Sequence, residues 1–66
     1  MNLCLNGEVR EVPGVGTIPE LVEALGLPAA ALLIEHNGLA LLRDEWTSRP
    51  LAEGDRVELL RITAGG

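Results

Sequence analysis

Apolar and polar positions alternate from the first residue: Met1, Leu3 and Leu5 fall on one face, Asn2 and Cys4 on the other. That period of two predicts a β-strand. Asn6-Gly7 follows, a dipeptide suited to the positive φ angles of a type I′ turn. From Glu8 to Val12 the alternation resumes, with Val9 between the charged Glu8 and Arg10, so the chain is predicted to open on a β-hairpin. Pro13, Gly14 and Gly16 then interrupt it.

The period changes after Thr17. Ile18, Leu21, Val22 and Leu25 recur at i, i+3, i+4 and i+7, one apolar stripe of a helix. Thr17 is placed to cap its start, and Glu20 to reach back to the cap amide. Pro19 in the first turn loses nothing, because that amide has no partner inside the helix. Gly26 supplies a left-handed end, and Pro28 prevents continuation. Ala29 to Ala31 reads as a short extra turn or a lead into the next strand. Leu32 to His36 reads as a strand, Asn37-Gly38 as a second hairpin turn, and Leu39 to Leu42 as a short return strand. Arg43 to Trp46 is expected to form a tight turn or one helical turn, Thr47 to Pro50 a loop, and Glu53-Gly54-Asp55 a turn. Arg56 to Thr63 is the longest strand candidate, rich in branched apolar residues.

The predicted order is β-β-α-β-β-β. Strands gathered on one side of a single helix belong to the α+β class, and a hairpin, a helix and further strands describe a β-grasp: a mixed sheet of about five strands packed on one main helix. Residues 1–63 are expected to form the domain and residues 64–66 a free tail. In the last strand, Val57 and Leu59 are expected to face the helix and Glu58, Leu60 and Ile62 to face outward. Leu60 and Ile62 would then make an apolar patch beside the tail, of the kind that marks a docking surface.

Composition narrows the function. Of 66 residues, 47% are apolar, enough for a core, although domains this short bury only about 60% of their unfolded surface. The net charge is −5 and all five basic residues are arginine. Phosphate contacts need clustered positive charge, so nucleic acid is not expected as a partner; a protein with a basic docking face is. Without lysine the chain has no side-chain amine to serve as nucleophile, Schiff-base former or isopeptide acceptor. Its single cysteine, Cys4, excludes an internal disulfide or a cysteine metal cluster. No leader opens the chain, and no apolar run approaches the length of a spanning helix. The expectation is a cytoplasmic protein with no membrane partner, monomeric when free.

The candidate side chains offer little chemistry. His36 is the only histidine; it lacks the neighbours of a catalytic base or metal ligand and reads as a half-buried residue at a strand end. Cys4 sits inside a strand pattern, away from the positive charge that activates a thiol. The ten carboxylates are scattered as on a solvated surface. Gly14-Val15-Gly16 before the helix is suggestive of a phosphate loop but lacks its third glycine and its lysine. Trp46, the only aromatic residue, reads as a core plug. No catalytic residue or metal site is therefore assigned.

What remains is Gly65-Gly66. Two terminal glycines arise by chance in about one chain in 200, but here they follow the last strand of a β-grasp pattern. Glycine has no Cβ, so an extended Gly-Gly backbone passes where any side chain would clash. A partner's narrow channel could thread it to ATP, where the Gly66 carboxylate could attack the α-phosphate and become an acyl-adenylate open to a sulfur nucleophile.

The order of elements, the helix opened by Thr17, the stretch from Asn37-Gly38 through Arg43-Asp44-Glu45-Trp46, the Gly54-Asp55 turn and the ending Ala64-Gly65-Gly66 resemble the ThiS family, the sulfur carriers of thiamine biosynthesis, over essentially the whole chain. The chain departs from the commonest family pattern at Leu42, often proline, and Thr63, usually aliphatic. The resemblance implies a carrier and not an enzyme. Gly66 would be adenylated by a ThiF-like enzyme using ATP and Mg, neither bound by this chain. It would then become a thiocarboxylate with sulfur from a donor's cysteine persulfide, and a ThiG-like thiazole synthase would take up that sulfur. Ala64 and Gly65 would thread the tail; Leu60 and Ile62 would dock the partner. Two alternatives stay open: a related carrier serving molybdopterin, tRNA thiolation or protein modification, and a plain β-grasp binding module.

Overall fold

The structure, a computed structural model, describes residues 1–63; the predicted tail, Ala64 to Gly66, lies outside the described residues. The strands are β1 (Asn2–Leu5), β2 (Glu8–Glu11), β3 (Leu32–His36), β4 (Leu39–Leu41) and β5 (Arg56–Arg61), with one α-helix, α1 (Ile18–Ala24), between β2 and β3. Two 3-10 segments, Ala29–Ala31 and Arg43–Ser48, complete the connections. Both Asn-Gly signals make the expected turns: φ is positive at Asn6 (49°) and Gly7 (82°), and again at Asn37 (51°) and Gly38 (86°).

One sheet forms in the order β2-β1-β5-β3-β4. The first and last strands lie side by side in its middle and run parallel, with Cys4 against Arg56 and Leu5 against Val57. Every other pairing is antiparallel. The mixed sheet carrying one main helix is the predicted β-grasp arrangement. Leu3, Leu5, Leu32, Ile34, Leu41 and Val57 turn inward onto Ile18, Leu21 and Val22 of α1, and Trp46 and Leu51 close the core. Ile18, Leu21 and Val57 are wholly shielded from solvent.

The start of α1 departs from expectation in one detail. The Thr17 hydroxyl accepts the Glu20 amide as a cap should (3.3 Å). The Glu20 carboxylate, however, takes the Gly16 amide (2.9 Å) and the Thr17 hydroxyl (3.2 Å) rather than the cap amide. At the other end the Leu27 amide donates to the Val22 carbonyl and the Gly26 amide to the Glu23 carbonyl. With φ of 68° at Gly26, this is the paired termination that a glycine in the left-handed region allows.

Other boundaries shift by a residue or two. The second strand ends at Glu11, but Val12 keeps its pairing by donating its amide to the Met1 carbonyl (2.8 Å) and is buried. The return strand stops at Leu41, because Leu42 turns into the second 3-10 segment and donates its amide to Glu45 Oε1. That segment extends through Thr47 and Ser48, expected as loop. The last strand ends at Arg61 rather than Thr63. His36, expected half-buried, is 5% exposed, for a reason given below.

Candidate functional site

The last strand is the route to the Gly65-Gly66 tail, so its setting decides what a partner meets. β5 is flanked by β3 from Val57, opposite His36, to Arg61, opposite Leu32. On its other side β1 ends too early. The Asn6 side chain replaces the missing strand: its Oδ1 accepts the Leu59 amide (2.6 Å) and its Nδ2 donates to the Leu59 carbonyl (3.1 Å). Beyond β5 the Ile62 amide donates to the Ala31 carbonyl (2.7 Å). The chain is thus held through Ile62, on the sheet's line. Asn6→Ala removes both bonds to Leu59 and is expected to lower stability by about 1 kcal/mol. Amide exchange at Leu59 should quicken more than at Ile34; equal quickening would mean that the side chain does not pin the strand.

The faces of β5 divide as predicted. Val57 is buried and Leu59 half-buried against the core, while Glu58, Leu60 (62%) and Ile62 (47%) are exposed. The sequence reading missed what joins them. Leu33, 54% exposed, stands opposite Leu60 across the β3–β5 ladder, and Leu42, just after β4, is 69% exposed. Large apolar side chains on the outer face of a sheet mark an interaction surface when they are contiguous. Alternation within Leu32–His36 already signalled that Leu33 faces outward; its partner depends on register. The assigned tail residues, Ala64, Gly65 and Gly66, lie outside the described residues.

The other candidates resolve into structural roles. His36 Nε2 donates to Asp55 Oδ2 at 2.8 Å, and its Nδ1 accepts from Arg49 Nε at 3.4 Å. Asp55 also accepts the Ala52 amide (2.9 Å) and Asn37 Nδ2 (3.2 Å). This node ties the β3–β4 turn to the approach to β5, which is why the histidine is fully buried. Burial, the largest single influence on the Asp55 carboxyl, pushes its pKa up; the bonds from His36, Ala52 and Asn37, with attraction to His36, outweigh it and hold the pKa below the ordinary 3.8. Before α1, the Glu20 carboxylate occupies the Gly16 amide and the Leu51 amide takes the Gly16 carbonyl, so the glycine-rich turn is committed to the fold. Trp46 is the expected core plug at 3% exposure, with Arg43 stacked 4.5 Å from its ring centroid. Cys4 is half-buried in β1. Among the described residues no cluster could hold a metal ion, and no helix is long and apolar enough to cross a membrane.

The sequence and the fold are shared with known proteins. The ThiS family model matches residues 3–66. The sulfur carrier protein ThiS of Thermus thermophilus is 37% identical over 62 residues, covering 94% of this chain and 95% of that one. The sulfur carrier protein ThiS of Escherichia coli is 26% identical with both chains fully covered. The crystal structure of the thiamine biosynthesis protein ThiS from Geobacter metallireducens superimposes with a TM-score of 0.85 at 35% identity, each chain covered completely. Family match, sequence and fold agree over the same span, and the chain belongs to the ThiS family.

Proposed function

We propose that this chain carries sulfur for thiamine biosynthesis on its C-terminal glycine. The observation that supports this most is the agreement over the full chain, through Gly66, with proteins named as sulfur carriers. Among the described residues no side-chain constellation competes for the chemistry. A ThiF-like enzyme binds MgATP, and a Gly66 carboxylate oxygen attacks the α-phosphate, releasing pyrophosphate. The resulting acyl-adenylate has AMP as its leaving group. A persulfide sulfur attacks the carbonyl carbon and expels AMP, and a thiol then reduces the S–S bond to release the thiocarboxylate. A ThiG-like synthase takes that sulfur into the thiazole ring. Ala64 and Gly65 thread the tail, and Leu60 and Ile62 dock the carrier.

Incubation with a ThiF-like enzyme, MgATP and a cysteine-derived sulfur source should raise the intact mass by the difference between sulfur and oxygen. An unchanged mass, with an active enzyme control, would remove the reading. Leu60→Ala with Ile62→Ala should leave the thermal midpoint within a few degrees, since exposed positions shift stability by no more than about 0.5 kcal/mol. The same pair should raise the enzyme's KM for the carrier about ten-fold or more. An unchanged KM would take the docking role from these two residues.

A further inference from the structure

The outer face of the sheet contains an arrangement that works against folding. Glu35 and Glu58 stand directly opposite each other across β3 and β5, and like charges so placed destabilise a sheet. Among the described residues neither carboxylate is in an ion pair. Arg56, two positions before Glu58 and on the same face of β5, pairs with neither.

The next outward pair along the same two strands is Leu33 and Leu60, exposed by 54% and 62%. Ala40 of β4 sits opposite Glu35, and its small side chain leaves the space beside the carboxylates open. Together Leu33, Glu35, Ala40, Glu58 and Leu60 line a groove of about 530 Å³. It is aliphatic at one end and doubly acidic at the other, the ends separated by two residues of strand, about 7 Å.

A metal ion is a poor occupant, because no third ligand joins the two carboxylates among the described residues. A purely apolar side chain would bury the carboxylates unpaired. An arginine suits both ends: its three methylenes cover aliphatic surface, and its planar fork of donors can serve two carboxylates at once. We propose that this groove docks an arginine side chain presented by the carrier's protein partner, with its stem along Leu33 and Leu60 and its guanidinium between Glu35 and Glu58. This rests on the sheet-face docking read above and names the chemistry the partner brings to it. The like-charge pair is then relieved on binding, and part of the chain's net charge of −5 is placed where it can steer a basic partner.

The test pairs a folding measurement with a binding one. The double variant Glu35→Gln, Glu58→Gln preserves shape and removes both charges. Its thermal midpoint should equal or exceed that of the wild type. Its Kd for the ThiF-like enzyme of the same organism should rise about ten-fold or more at low salt, and the salt dependence of binding should flatten. A double variant that binds as tightly as wild type overturns the proposal. So does one whose weaker binding comes with a lower midpoint, since the pair would then be supporting the fold. If wild-type carrier forms no complex at all, the sheet-face docking reading falls and the arginine groove with it, an outcome separate from the first two.

Discussion

If Gly66 is activated as proposed, Gly65→Val is expected to leave the carrier folded and to stop its activation. The buried core runs from Leu3 to Val57, so the thermal midpoint should not move. Adenylation is another matter. For Gly66 to reach an α-phosphate held inside a partner, the residue before it must enter the same channel, and valine adds a branched side chain where glycine has none. A reacting carboxylate displaced by about 1 Å loses on the order of 100-fold in rate. The expected result is therefore a fall of at least that size in kcat/KM for ATP–pyrophosphate exchange supported by the carrier. Gly65→Ala should lie in between, because a single methyl both clashes less and restricts the backbone less. If valine supported exchange at the wild-type rate, the threaded-tail reading would be wrong. A lowered midpoint would show that Gly65 belongs to the fold.

The features legible in the sequence were local ones. Two Asn-Gly dipeptides marked two hairpins, because few residue pairs accept consecutive positive φ angles. The Ile18, Leu21, Val22, Leu25 spacing marked the helix, and Gly26 its end. Alternation within Arg56–Arg61 sorted Val57 inward and Leu60 outward. What escaped depended on register between distant segments. Asn6 serves Leu59 across 53 positions, and nothing about an asparagine in a turn distinguishes that role from an ordinary one. Glu35 and Glu58 looked scattered because only the β3–β5 ladder sets them face to face. His36 looked isolated because its partner, Asp55, is 19 positions away. The role proposed for the tail rests on sequence alone, since Ala64 to Gly66 lie outside the described residues: it asks for no neighbour from the fold, only a carboxylate and the absence of side chains.

Asp55→Ala should be among the most damaging substitutions outside the apolar core. The side chains of His36 and Asp55 are 6% and 16% exposed, so water can do little to replace what is lost. Removing the carboxylate leaves His36 Nε2, the Ala52 amide and Asn37 Nδ2 without their acceptor. A buried donor left without its acceptor costs about 1–3 kcal/mol; with His36 Nε2 buried and two further donors released, the expectation is about 3 kcal/mol. For a domain of this size that is a drop in thermal midpoint of about 12 °C or more. Asp55→Asn should cost less, because its carbonyl oxygen still accepts, although its amide nitrogen must face a neighbouring donor. The comparison of wild type with Asp55→Asn also has a pH signature. The folded Asp55 pKa lies below the ordinary 3.8, so the unfolded chain takes up the proton first as pH falls. The charge-dependent advantage of aspartate is then complete above about pH 5 and shrinks as pH drops below the unfolded value toward the folded one. Urea unfolding of both proteins between about pH 3 and pH 7 reads this directly. A gap that stayed constant down to about pH 3 would mean that the carboxylate's charge contributes nothing to the node. The result would then assign the role of Asp55 to hydrogen-bond geometry alone.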